Sequence, residues 1–239
     1  MRFLAERSHK KELMDDLSIG YEEFEETLSQ LELLNQITGA YAPTLEAIRF
    51  FLKKHHQNKK QALRILDIGC GYGDTLRKIH HWAQSQDLKI ELTGIDLNPW
   101  AKQAASFVTS KASPIRFITE DIFKLKVTRP YHIIINSLLT HHLTDAELIK
   151  MLQWMNHHAA YGWFINDLHR HPAPYFFIKY FVKLLRFNRL IKNDAPLSVA
   201  RAFVARDWRD LSRRAQLNPQ KLKIRWYWPF RWGVRYETQ

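Results

Sequence analysis

The sequence predicts an α/β fold built on a doubly wound, mostly parallel seven-stranded sheet, with helices ahead of it and a helical insertion after the fifth strand. Three observations carry that expectation. From Leu63 onward, short apolar segments alternate with amphipathic ones, the order that lays parallel strands side by side with helices on both faces. Two further strand-like segments, KLKIRWYW and RWGVRYE, close the chain and lie near enough to form an antiparallel pair. Between the fifth strand and the last helix, PAPYFFIKYFVKLLRFNRLIKNDAPLSVARAF is far longer than an ordinary strand-to-helix link. It marks an insertion at about 172–200.

Taken in order, the elements are these. MDDLSIGYEEFEETLSQLELLNQITG places Phe24, Leu28, Leu31 and Ile37 among acidic residues at helical spacing and stops at Gly39, and a second helix is expected from Pro43 to His56. Together they define an N-terminal helical cap over residues 1–60, joined through the polar hinge HHQNKKQ to a domain over residues 61–239. In that domain RILDIG, IELTGIDL, IRFIT, YHIIINSLL and YGWFIND read as strands. DTLRKIHHWAQ, AKQAASFVTS, DAELIKMLQWMNHH and ARDWRDLSRRAQ read as helices.

With 239 residues the chain can bury one full core, and its 46% hydrophobic content excludes disorder except at the first few residues and the tail. A single cysteine, Cys70, excludes an intrachain disulfide. MRFLAERSHKKELMDD carries no apolar stretch of signal-peptide length, and no run approaches eighteen uninterrupted apolar residues, so a cytoplasmic location is expected. The net charge of +12 is not evenly spread: residues 170–239 hold sixteen Lys/Arg against four Asp/Glu, while the rest is nearly balanced. Such a field suits an anionic partner, whether nucleic acid, a membrane surface or a charged substrate, and equally a solvated surface.

The stretch LDIGCGYGD puts Asp67, Gly69, Gly71 and Gly73 where a strand runs into a helix, so that a ligand can approach the backbone and the helix N-terminus. A dinucleotide loop would need its third glycine where this chain has Asp74. A carboxylate there repels a pyrophosphate and suits a ligand with cationic groups. Asp96 in LTGIDLNP ends the second strand, about 25 residues on, where a carboxylate can take the two hydroxyls of a ribose. Asp121 in ITEDIF closes the third. Three carboxylates at three successive strand ends form one ligand-binding rim.

LDIGCGYGD, GIDLNP and TEDIF, in this order and spacing, resemble the class I S-adenosylmethionine-dependent methyltransferases over roughly residues 63–170. The resemblance implies the Rossmann-like methyltransferase fold and S-adenosyl-L-methionine as cofactor. It implies that Asp67 with Gly69, Cys70, Gly71 and Gly73 holds the methionine part, Asp96 with Leu97 the ribose, and Asp121 with Ile122 the adenine. Asn136 completes the expected cofactor contacts. Outside the core, AERSHKKELMDD, LNQITGAY, NDLHRHP and NRLIKNDAPLSVARAF look like a bacterial small-molecule methyltransferase subgroup found beside polyketide synthase genes. That implies a small, hydrophobic, aromatic or polyketide-like acceptor methylated on oxygen or carbon.

Methyl transfer from a sulfonium needs in-line positioning more than acid or base help, but a phenol or enol acceptor gains from a base that works near neutral pH. In NSLLTHH, after the fourth strand, His141 and His142 occupy the place facing the methyl group. On an extended stretch neighbours point in opposite directions, so one of the pair is expected to face the acceptor, His141 before His142, and a purely structural role for both stays open. His169, in NDLHRHP after the fifth strand, is a second candidate base or a surface residue. Adjacent histidines pointing apart do not chelate one ion, so no metal site is expected. Cys70 has no base at a fixed distance and is expected to pack rather than react.

In PYFFIKYFVKLLRFNRL, Lys179, Lys183 and Arg186 share one helix face, and Phe176, Phe177, Tyr180, Phe181, Leu184 and Phe187 cover most of the rest. Helix 174–191 can therefore be a core helix, a lid over an apolar substrate, or a peripheral membrane contact. Two other functions stay open. A nucleic-acid methyltransferase would use the basic third, although Asn136-Ser137-Leu138-Leu139 replaces the Asn/Asp-Pro-Pro-aromatic motif of amino-methylating enzymes. A non-catalytic cofactor-binding protein would keep the rim without turnover. The sequence leaves the oligomeric state open.

Overall fold

The computed structural model describes residues 4–56 and 61–238. The seven strands are β1 (Leu63–Ile68), β2 (Ile90–Asp96), β3 (Ile115–Thr119), β4 (Tyr131–Ser137), β5 (Ala159–Leu168), β6 (Leu222–Tyr227) and β7 (Arg231–Glu237). They form one sheet in the order β3-β2-β1-β4-β5-β7-β6. Strands β1 to β5 pair in parallel, and β7 runs antiparallel to both β5 and β6. The strand order reverses between β1 and β4, and a crevice for a ligand opens at the carboxyl ends there. Six of the seven residues of β4 are buried, as expected of a central strand covered on both faces.

Helices α1 (Tyr21–Ile37), α2 (Ala42–His55), α3 (Asp74–Ser85), α4 (Pro99–Val108), α5 (Asp145–His158), α6 (Pro172–Leu184), α7 (Arg189–Arg201) and α8 (Ala205–Arg214) surround the sheet. Alternation along the strands sorts the core into two layers. Leu66, Ile134, Trp163 and Ile165 pack with Leu148 and Met151 of α5 and Trp208 and Leu211 of α8. Ile65, Leu92, Ile133 and Phe164 pack with Ile48 and Phe51 of α2 and Leu76 and Ile79 of α3. Helix α1 ends at Ile37, and Gly39 makes the turn into α2 with φ +62°.

The expected insertion is the pair α6 and α7, which meets α1 through Val182, Phe187, Ile191 and Leu34. The expected hinge HHQNKKQ falls mostly on residues 57–60, outside the described residues, as do residues 1–3 and 239. One expectation is corrected. LLTHH is not extended after β4: Thr140–His142 form a 3-10 turn, preceded by Leu138 at φ +57°. The tight turn brings the rings of His141 and His142 to 4.3 Å instead of pointing them apart.

Gly162 in β5 shows how closely this sheet is packed. Its φ is +154°, and a Cβ there would lie 2.1 Å from the Tyr236 carbonyl oxygen and 2.6 Å from the Phe51 ring. Gly162→Ala therefore forces the β5–β7 ladder apart and is expected to lower unfolding stability by about 2–4 kcal/mol. Urea unfolding of wild type and variant measures this.

Candidate active site

The glycine loop leaves β1 and enters α3 with Gly69, Gly71 and Gly73 all at positive φ. At Gly69 an added Cβ would meet Leu139 at 2.8 Å, so the loop also needs glycine to pass beneath the segment after β4. Asp96 holds the loop, its Oδ2 accepting from the Gly71 N–H (3.0 Å) and its Oδ1 from Asn98 N–H (2.9 Å). Asn35 and Tyr41, from the N-terminal helices, donate to Asp74 Oδ2 at 3.1 and 2.7 Å. The carboxylate predicted from its clash with a pyrophosphate is thus tied to the first helices of the chain.

Asp67 is 2% exposed, and its Oδ1 has no hydrogen-bond partner. Burial, with Asp74 and Asp96 nearby, pushes its carboxyl well above the usual range. Burial also raises Asp96, against the N–H groups of Asn98 and Gly71. A site with crowded carboxylates and an orphaned buried oxygen fits a ligand carrying positive charge. Asn136, fully buried, donates to the Ile68 carbonyl at 2.7 Å and keeps its own Oδ1 unpartnered. Asp121 Oδ1 accepts from Phe123 N–H at the half-buried end of β3, with Ile122 between them, and Leu97 is 67% exposed beside Asp96. Cys70 is buried, and burial with the neighbouring carboxylates pushes its thiol well up, so it packs as a neutral group.

On the other side of the crevice the turn after β4 is held by Asp167 at the end of β5. This fully buried carboxylate accepts from the Thr140 hydroxyl, from His141 N–H (3.1 Å) and from His141 Nδ1 (2.7 Å). Burial alone would raise Asp167, but His141, Thr140 and the Leu168 N–H overcome it and hold the carboxyl at about 2. Arg201, the last residue of α7, clamps the turn from outside by donating to the carbonyls of His141 (3.0 Å), His142 (2.8 Å) and Lys10 (2.7 Å). His142 Nδ1 pairs with Asp15 Oδ1 at 2.7 Å.

Glu12 completes the group. It is 3% exposed, and its Oε1 and Oε2 lie 3.8 Å from His141 Nε2 and His142 Nε2. Burial pushes its carboxyl up to about 7, against the opposing pull of His142, Ser198 and Arg201. Candidate ligand atoms of Glu12, His141 and His142 all lie within 4.8 Å of one another. The reason for expecting no metal site, rings that point apart, is removed by the 3-10 turn. His142 also acts electrostatically on Asp96, which links this cluster to the carboxylate rim.

Sequence reasoning missed Glu12 and Asp15 as site residues. Asp15 and His142 are 127 positions apart, and they meet because the N-terminal segment is held against α7 and the turn after β4. Arg7 binds Asp145 and the Leu143 and Arg201 carbonyls, and Asp194 accepts from the N–H groups of Leu13 and Met14. His169 is not part of the cluster. Its Nδ1 accepts from Trp226, it lies against His171, Phe230 and Trp232, and burial, with His171 and Arg170, pushes its ring down to about 4. Such a ring is a weak proton acceptor near neutral pH.

Residues 65–162 match a family of methyltransferase domains. No curated protein matches the chain. Solved structures share the fold. The plantazolicin methyltransferase BpumL, in complex with SAH, is 16% identical with a TM-score of 0.61, covering 91% of this chain and 96% of its own. Human N-acetylserotonin methyltransferase, in complex with SAM, is 13% identical with a TM-score of 0.63, covering 91% of this chain and 56% of its own. The CMeT domain of the citrinin polyketide synthase is 14% identical with a TM-score of 0.56, covering 76% of this chain and 48% of its own. At these identities the likeness speaks for the fold alone.

The Asp167 contacts make a direct prediction. Asp167→Asn replaces an acceptor by an amide whose N–H groups face buried donors, and it is expected to cost about 3–5 kcal/mol of stability. Denaturant unfolding at neutral pH checks this; a loss below about 1 kcal/mol would show that the turn is held by other means.

Proposed function

We propose that the chain is a class I methyltransferase that moves the methyl group of S-adenosylmethionine to an oxygen or carbon of a small, hydrophobic, aromatic or polyketide-like acceptor, a reading supported by the methyltransferase-domain match over residues 65–162. The observation that carries this reading is the rim: Asp67, buried with an unpartnered oxygen, and Asp96 at the next strand end. In the proposed complex Asp67 and the backbone of Gly69, Cys70, Gly71 and Gly73 hold the methionine part. Asp96 and Leu97 take the ribose, Asp121 and Ile122 the adenine, and Asn136 lines the floor. The N-terminal helices, reaching Asp74 through Asn35 and Tyr41, act as a cap over residues 1–60 on a domain of residues 61–239.

When bound, the cofactor supplies a methyl group on a sulfonium with a neutral leaving group, and the chain must position the acceptor in line and take its proton. His142 is the better placed histidine, because its side chain is 18% exposed while that of His141 is 3% exposed. This reverses the order read from the sequence. Asp15 orients His142, and His141 with Asp167 fixes the turn that presents it. His169 is read as part of an aromatic wall with Phe230 and Trp232.

The basic C-terminal third supports a nucleic-acid substrate less than its composition suggests. Arg170, Arg201 and Arg231 are buried, and Arg170 and Arg201 bind carbonyls and carboxylates of the chain. A peripheral membrane contact is favoured by one observation. Helix α6 exposes Phe177 (59%), Tyr180 (63%) and Leu184 (79%) along one face, bordering an apolar groove of about 600 Å³, with Lys183 and Arg186 exposed beside them. That is the pattern of a helix lying on an anionic lipid surface. No helix among the described residues is long and apolar enough to cross a membrane.

Calorimetry with S-adenosylmethionine tests the central reading: saturable binding is expected, weakened roughly 10- to 100-fold in Asp96→Ala. His142→Ala is expected to lose turnover on phenolic acceptors at least about 100-fold while keeping cofactor affinity. Failure to bind the cofactor ends the proposal, and methyl incorporation into RNA with steep salt dependence would replace the acceptor class. For the membrane contact, co-sedimentation with phosphatidylglycerol vesicles but not with phosphatidylcholine vesicles is expected, and it should disappear in a Lys179→Glu/Lys183→Glu variant.

A further inference from the structure

We propose that Glu12, His141 and His142 form a binding site for one divalent transition-metal ion of the zinc, cobalt or iron(II) type. The site itself stands on the cluster geometry and does not depend on the methyl-transfer reading.

The two imidazoles are prepared alike. His141 Nδ1 is paired with Asp167 Oδ1 and His142 Nδ1 with Asp15 Oδ1, each at 2.7 Å. A carboxylate on Nδ1 keeps the proton there and leaves Nε2 with a free lone pair, which is how metal-ligating histidines are commonly oriented. Both Nε2 atoms then face the same carboxylate, one to each oxygen of Glu12, at 3.8 Å. That distance is too long for a hydrogen bond. It is close to the edge of about 3.4 Å that bonds of about 2.0–2.1 Å give in a tetrahedral site. The two contacts run to different oxygens of Glu12, and with one ligand atom from each residue the three lie within 4.8 Å of one another, so side-chain adjustments of up to about an ångström bring them to that edge.

Glu12 supplies a second, independent observation. Its Oε2 accepts from the Ser198 hydroxyl at 2.8 Å, but Oε1, buried, has no hydrogen-bond partner. Arg201 lies 3.6 Å away and does not satisfy it, because its guanidinium donates to the carbonyls of His141, His142 and Lys10 and to Asp15. An orphaned buried carboxylate oxygen is costly unless a cation or donor meets it. In the set of groups within ion-pair distance of one another, the carboxylates Glu12, Asp15 and Asp167 face one guanidinium, Arg201.

The donor set decides the class of ion. Two imidazole nitrogens and one carboxylate suit zinc, cobalt or iron(II), whereas magnesium and calcium prefer an all-oxygen shell. Three protein ligands leave at least one position open, on the side where His142 is part-exposed. If methyl transfer is the reaction, an acceptor oxygen is the natural occupant of that position, and the ion would hold it as an anion in place of His142. That consequence rests on the methyl-transfer reading.

The test is a Co²⁺ titration of the chelator-treated full chain, read in the visible d–d bands, with Zn²⁺ as competitor. One saturable equivalent displaced by Zn²⁺ is expected. His142→Ala, a part-exposed change, and Glu12→Gln, nearly isosteric, should each abolish the bands, and Asp15→Asn should weaken affinity roughly 10- to 100-fold. Circular dichroism and S-adenosylmethionine binding on the same samples show whether the fold and the cofactor site survive. Absence of a saturable equivalent in wild type overturns the ion site, as does retention of the bands in His142→Ala. Either result, obtained with intact cofactor binding, leaves the methyl-transfer reading standing.

Discussion

The Asp167 carboxylate, buried at the end of β5, is the interaction on which the turn after β4 and the histidine cluster depend. A charge in that position is tolerated only when every lone pair is used. Asp167 meets the condition by gathering the Thr140 hydroxyl, two groups of His141 and the Leu168 N–H. In doing so it converts the exit of β4 into a tight turn and sets the orientation of both histidines. Arg201 then braces the same turn from the carbonyl side, which ties the insertion helix α7 to it. The N-terminal segment is in turn held onto α7 by Asp194 and delivers Glu12 and Asp15. Each layer needs the one beneath it.

The carboxylate rim follows a different logic. Parallel strands end together, so the carboxylates at the ends of β1 and β2 fall into one rim without long-range help. Burial raises both Asp67 and Asp96, and the neighbouring Asp74 and Asp96 carboxylates add to it at Asp67, so the rim is held at a cost that a cationic ligand would relieve. Hydrogen bonds from Gly71 and Asn98 to Asp96, and from Asn35 and Tyr41 to Asp74, keep it in shape. The two sides meet at the reversal between β1 and β4, where Leu139 packs against Gly69.

What could be read in the sequence was local. The strands and helices, the insertion, the closing antiparallel pair and the glycine loop each carry their signal within some ten residues: apolar periodicity, glycines at a strand end, carboxylates at regular intervals. Asp67, Asp96 and Asp121 were legible for that reason. Their partners were not. Nothing near Asp74 signals that Asn35 and Tyr41 reach it, and nothing near His142 signals Asp15. The extended reading of LLTHH failed because a distant carboxylate outweighed local preference.

The sequence by itself thus determined the α/β topology and the place of the glycine loop and the carboxylates at the strand ends, because both follow from short-range patterning and from the rule that parallel strands end on one side. Only the tertiary structure decided which way His141 and His142 face, that His169 belongs to an aromatic cluster, and that Glu12 stands between the two imidazoles. Those outcomes come from burying charges that must find partners wherever the folded chain provides them. Sequence distance says nothing about where that will be.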